Sequence, residues 1–154
     1  MYEHILCPVD GSATSNCGMI EAIKLAKNQQ ATLRFINVID LYFPIADATG
    51  DFNVVYIDDI LRKNGHKVLK DAETEAANVG VKTETKMVET FGHRVSKLIL
   101  DEANAWPADL IVMGTHGLRG VERLVLGSDA ETVIRKSSVP VLLVKHMHAA
   151  ESDK

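Results

Sequence analysis

Short apolar runs alternate along this chain with apolar residues at helical spacing. Ile5 to Val9 is an apolar run ending in Asp10-Gly11-Ser12, which predicts a buried strand and its exit turn. Pro8 lacks an N–H and belongs near that strand's end, where pairing stops. Met19, Ile20, Ile23 and Ala26 then follow helical spacing, with Ser12 or Thr14 as the cap. Leu33 to Val38 reads as a second strand. From Asp40 to about Asp58 the period is lost, with Pro44, Gly50 and scattered aromatics, so a surface excursion is predicted there. Leu61, Val68, Ala72, Ala76 and Val79 mark one face of a long helix stopped by Gly80.

In the next segment Val81, Thr83, Thr85 and Met87 alternate with Lys82, Glu84 and Lys86, the pattern of an edge strand with one solvated face. Phe91, Val95, Leu98 and Ile99 predict a third helix closed at Trp106-Pro107. Leu110 to Met113 is a fourth strand. Ala130, Val133 and Ile134 give the inward face of a last helix, and Val139 to Val144 a last strand. This alternation predicts a single-domain α/β fold over residues 1–146, with a frayed tail at 147–154. The sheet is expected to be open, parallel and five-stranded, with helices on both faces in a Rossmann-like arrangement. The edge character of the third strand gives the order 3-2-1-4-5. Such folds bind ligands at the carboxyl ends of the strands beside the reversal of order, here strands one and four. Those ends carry Asp10-Gly11-Ser12 and Gly114-Thr115-His116-Gly117, and Gly127-Ser128 opens the following helix. Glycines let backbone approach an anion, and a helix start presents free N–H groups to it, so the pattern reads as a phosphate cradle.

Composition narrows the possibilities. The 154 residues carry a net charge of −4, so a basic nucleic-acid face is not expected. No apolar run approaches the roughly 20 residues that span a membrane, and Met1-Tyr2-Glu3-His4 has no signal-peptide pattern. Cys7 and Cys17 have neither CxxC nor zinc spacing. His146 and His148 form an HxH pair that reads as solvated. No GxxxxGK[ST], GxGxxG, HxGH or SGGxDS pattern occurs, which argues against a Walker site, a dinucleotide oxidoreductase and a nucleotidyl transferase. No nucleophile elbow accompanies His116, and no base has an evident orienting partner, so no catalytic residue is assigned and at most very slow ATP hydrolysis is expected. Arg119 and Arg123, one helical turn apart, could steer phosphates or form an ordinary exposed face.

Gly114, Gly117, Gly127 and Ser128 fit the spacing Gly-x2-Gly-x9-Gly-Ser/Thr, and with them the chain resembles the nucleotide-binding branch of the universal stress protein family. Its first run, Ile5 to Ser12, and its last, Val139 to Val144, resemble the corresponding family strands. The resemblance implies a cytoplasmic, homodimeric, ATP-binding module of the stress response, with Mg2+ able to accompany the phosphates. It places the site on the strand ends Pro8-Val9-Asp10 and Met113-Gly114-Thr115. By position, Asp10 and the Val38 backbone would face adenine, and Pro8 and Gly114 the ribose. His116-Gly117 and Gly127-Ser128-Asp129 would hold the phosphates, with Arg119 and Arg123 offsetting the Asp129 charge. Asp129 stands where many relatives carry a small apolar residue, so phosphate contacts there would come from backbone. Pairing of two copies through Val139 to Val144 is expected because that strand is apolar with one free edge. The alternatives are a slow ATPase and a nucleotide-free interaction protein on the same fold.

Overall fold

Strands that alternate with helices pair in parallel, since each return to the sheet crosses over a helix. The computed structural model describes residues 1–41, 53–116 and 126–145. Its strands are β1 (His4–Pro8), β2 (Thr32–Asp40), β3 (Thr83–Thr90), β4 (Leu110–Gly114) and β5 (Val141–Val144). Its helices are α1 (Ala13–Gln29), α2 (Asn53–Asn78), α3 (Val95–Ala105) and α4 (Ser128–Lys136). The parallel sheet has the order β3-β2-β1-β4-β5, as the sequence predicts.

Side chains alternate across the sheet and feed two cores. Ile5, Cys7, Leu33, Phe35, Leu110 and Val112 pack beneath α1 and α2. Leu6, Ile36, Ile111 and Met113 pack beneath α3 and α4, against Ile99 and Val133. Burial pushes the Cys7 thiol well above the usual thiol range, so it packs as a small apolar residue.

The helix ends follow local rules. Ser12 Oγ caps α1 by accepting from Ser15 N at 3.2 Å. Beyond α2, Gly80 takes φ +78°, and Val81 N donates back to Ala76 O at 3.0 Å, which closes the helix.

Several sequence expectations shift. The excursion predicted for 40–58 is shorter: β2 runs to Asp40, Leu41 is buried and α2 starts at Asn53, while 42–52 lie outside the described residues. The last strand begins at Val141 rather than Val139. Ile134, expected inward, is exposed, as are Ile20 and Val79 on their apolar spacings, and Phe91 is exposed and precedes α3. The helices turn smaller residues inward instead. Gly18, Ala22 and Ala26 face the sheet from α1, and Gly65, Leu69, Ala72 and Ala76 from α2. A Cβ on Gly65 would lie 2.6 Å from Asn37 Oδ1, so α2 sits closer to β2 than any side chain there would allow.

The amino end of the sheet carries a charge network on the α3 face. Arg34 of β2 donates to Glu84 of β3 (Nε to Oε2, 3.1 Å) and to Glu102 of α3 (Nη1 to Oε1, 2.6 Å). Lys86 pairs with the other oxygen of Glu102, whose side chain is 4% exposed. The Arg34 guanidinium also stacks 4.5 Å above the Trp106 ring, and His4 meets Trp106 edge-on. Beside them, the Asp109 carboxylate accepts from Glu3 N and His4 N at 2.7 and 3.2 Å.

Candidate functional site

The site predicted at the carboxyl ends of β1 and β4 rests on how far those strands pair. Asp109 N donates to His4 O and Val9 N to Ile36 O, so even-numbered residues of β1 point their peptide groups toward β4 and odd-numbered ones toward β2. Pro8 is even-numbered. Its missing N–H falls on the β4 side, and β1–β4 pairing covers only Ile5–Leu110 and Leu6–Ile111. Pairing with β2 continues to Pro8–Ile36. The two central strands therefore part beyond Leu6, at the reversal of strand order.

Past the parting, β1 runs into a fixed turn. Asp10 Oδ1 accepts from Ser12 N at 2.9 Å, Asp10 N donates to Ser15 Oγ at 3.0 Å, and Gly11 takes φ +81°. The sequence places Asp10 in the exit turn of the first strand. It shapes the turn, while Ser12 holds the cap. On the other side α1 lies directly on β4. A Cβ on Gly18 would come within 2.9 Å of Gly114 N, and one on Gly114 within 2.6 Å of Thr14 O. Gly114 thus has a packing reason to be glycine, whatever else it touches.

Thr115 joins three elements. Its N–H donates to Val144 O at 3.1 Å, and its carbonyl accepts from Gly127 N at 2.9 Å. The two glycine-bearing stretches are brought together at this backbone contact. Thr115 Oγ1 and His116 Nδ1 lie 3.0 Å apart, which gives His116 an orienting neighbour that sequence reasoning did not find. His116 Nε2 is buried and has no hydrogen-bond partner among the described residues.

The start of α4 differs from expectation. Of the pair Gly127-Ser128 that opens the helix, Gly127 takes the capping position and makes no side-chain cap bond, and Ser128 is the first helical residue. Among the described residues the N-terminus of α4 has no side-chain cap. Asp129 does not cap its own helix. Its Oδ1 accepts from Ser96 N at 2.9 Å and supplies the first turn of α3, where Arg94 makes no side-chain cap bond. That carboxylate is committed to the neighbouring helix. Met113 is buried beneath α3 and α4, and Val38 is partly buried at the end of β2. Gly117, Arg119 and Arg123 lie outside the described residues, as does the His146 and His148 pair. No group of three or more His, Cys, Asp or Glu that could hold a metal occurs among the described residues.

Asn37 escaped the sequence reading. It is 6% exposed in the middle of β2, and its Nδ2 donates to Val9 O at 2.7 Å. A lone amide flanked by Phe35-Ile36 and Val38-Ile39 is the available signal.

This crevice can be set beside known proteins. The model of the universal stress protein family matches residues 1–145. The chain belongs to the universal stress protein family. Universal stress protein MJ0531 of Methanocaldococcus jannaschii is 37% identical over 145 residues, covering 94% of this chain and 83% of that protein. Among solved structures, universal stress protein UspA from Lactobacillus plantarum has a TM-score of 0.80 at 23% identity, covering 93% of this chain and 97% of its own, which establishes a shared fold. A universal stress protein solved in complex with cAMP has a TM-score of 0.69 at 25% identity, covering 96% of this chain and 99% of its own. Within this universal stress protein, as in the family model, the match runs from β1 through β5. No helix among its described residues is long and apolar enough to cross a membrane.

Proposed function

We propose that this universal stress protein is a cytoplasmic regulatory module that binds ATP or another adenine nucleotide in the crevice between β1 and β4. The observation that carries the reading is the early end of β1–β4 pairing beside an α4 start that lacks a side-chain cap. Parted strand ends at a reversal make room for a ligand, and an uncapped helix start attracts its anionic end. His116 Nε2, without a partner among the described residues, adds a polar group for that ligand to meet. The cAMP complex of a relative supports an adenine ligand in this fold.

The site has a base end and a phosphate end. Asp10 and the Val38 backbone take the adenine, Pro8-Val9 and Met113-Gly114 flank the ribose, and Thr115 to Gly117 with Gly127, Ser128 and the Asp129 backbone take the phosphates. Arg119 balances charge there. Any Mg2+ is carried in on the phosphates. Two copies associate through the open edge of β5, whose Leu142 is 37% exposed.

The test begins with denaturing the purified protein and identifying any released nucleotide. Calorimetric titration of ATP and AMP into the parent and folded variants follows. Gly127→Val is expected to abolish ATP binding. Asp10→Ala should weaken ATP and AMP equally, and Ser128→Ala should cost about 1 kcal/mol. A folded Gly127→Val variant that binds ATP like the parent overturns the cradle. The oriented His116 ring is the one observation that favours the slow-ATPase alternative. Turnover above about one per second, within the range of ordinary enzymes, would overturn the binding-module reading.

A further inference from the structure

Parallel pairing between β1 and β2 uses the even-numbered residues of β2. Each points both its N–H and its C=O toward β1, and Ile36 is the last residue so paired. The next is Val38. Continuing the ladder would give the Val38 N–H to the Val9 carbonyl. That carbonyl accepts the Asn37 side-chain amide at 2.7 Å, and no backbone hydrogen bond joins Val38 to β1 among the described residues. Beyond Asp10 the chain turns away at Gly11. The peptide edge of Val38 therefore points into space that β1 has left.

The Asn37 amide is held where it can do this. It is buried beneath α2, and its Oδ1 occupies the space in which a side chain on Gly65 would begin. A helix with alanine at that position would push the amide off the carbonyl or move away from the sheet.

We infer that Asn37 is a positioning residue for base recognition: by occupying the Val9 carbonyl it ends the β1–β2 ladder early and keeps the Val38 peptide edge open to the ligand. This rests on the adenine-nucleotide reading. A neighbouring N–H and C=O on one extended edge match the acceptor N1 and donor N6 amine of adenine, whereas guanine presents the opposite pair. Adenine is thereby preferred without a charged side chain.

The experiment follows Val38 amide exchange by NMR in the nucleotide-free protein, then with ATP, in the parent and in Asn37→Leu. In the parent the Val38 amide should exchange much faster than the Ile36 amide and slow when ATP is added. In Asn37→Leu the freed Val9 carbonyl should capture the Val38 N–H, so that amide is protected without ligand. The ratio of ATP to GTP affinity should fall about tenfold, the scale of one net hydrogen bond, while the ratio of ATP to AMP affinity stays as in the parent. A parent Val38 amide as protected as Ile36 before ligand overturns the inference, even if ATP binds and even if Asn37→Leu fails to fold. A variant that only melts at lower temperature, with Val38 exchange and base preference unchanged, overturns it too. A parent whose Val38 amide exchanges freely but which binds no adenine nucleotide leaves Asn37's hold on the edge standing and removes the nucleotide reading.

Discussion

The two ends of the sheet treat polar groups in opposite ways. At the amino end, Arg34, Glu84, Lys86 and Glu102 satisfy one another, and Asp109 takes two N–H groups of the first strand. At the carboxyl end the β1–β4 ladder stops at a proline and, among the described residues, α4 starts without a side-chain cap and His116 Nε2 has no partner. Charge is abundant where the fold is being held together. The candidate site is built mostly from main chain that neighbouring elements decline to pair. The contrast teaches that the density of ionisable residues is a poor guide to function here, and that interrupted ladders are a better one.

Substitutions can break or sharpen this contrast. The largest effect is expected at the carboxyl end, where open hydrogen bonding coexists with the tightest backbone packing. Gly114→Val would force side-chain atoms onto the Thr14 carbonyl and should cost more than about 3 kcal/mol or prevent folding, read by circular dichroism and thermal melting. Normal stability in that variant would mean that α1 can lift from β4. At the amino end, Glu102→Ala strands the partly buried Arg34 and the Lys86 ammonium. It should cost about 3 kcal/mol in denaturant unfolding while leaving nucleotide affinity of the folded protein unchanged. A variant with lost affinity and full stability would dissolve the distinction between the two ends.

Asp129→Ala gives a smaller effect. Losing the cap on Ser96 should cost about 1 kcal/mol, and ATP should bind at least as well as to the parent, because a carboxylate near the phosphates has gone. The smallest effect is a pH effect. The hydrogen bond from Arg34 holds the Glu84 carboxyl below its ordinary range, as that from Arg62 does for Glu89. A depressed carboxyl contributes stability that is present above the unfolded value, about 4.3, and is lost as pH falls through the folded value below it. Glu84→Gln should therefore flatten the acid side of the stability profile slightly, since the Glu84 carboxylate is solvent-exposed, and denaturant midpoints at pH 7 and pH 3.5 would show it.

Element order and topology were legible in the sequence because apolar runs, glycine stops and one polar edge strand are local signals. Helix faces were read less well. Ile20, Val79 and Ile134 drew attention as large apolar residues, yet Gly18 and Gly65 mark the true contact lines, since close approach selects for absent side chains. Asp129 looked like an acid at its own helix start. Its partner Ser96 lies 33 residues away, and no local pattern encodes that distance. The glycine spacing located the crevice. Asn37, a single amide in a strand, acquired meaning only once its neighbour Val9 was known.

The alternation along β2 has a consequence for how the gene can change. Side-chain facing and peptide direction both have a period of two, so from Thr32 to Val38 the strand works as a counter. Point substitutions that keep the apolar pattern leave the count intact. One codon inserted or deleted in that span would exchange the places of Asn37 and Val38, sending the amide to the α3 face and turning the open peptide edge toward β3. Across descendants of this chain, β2 should vary in composition while its length up to Val38 stays fixed.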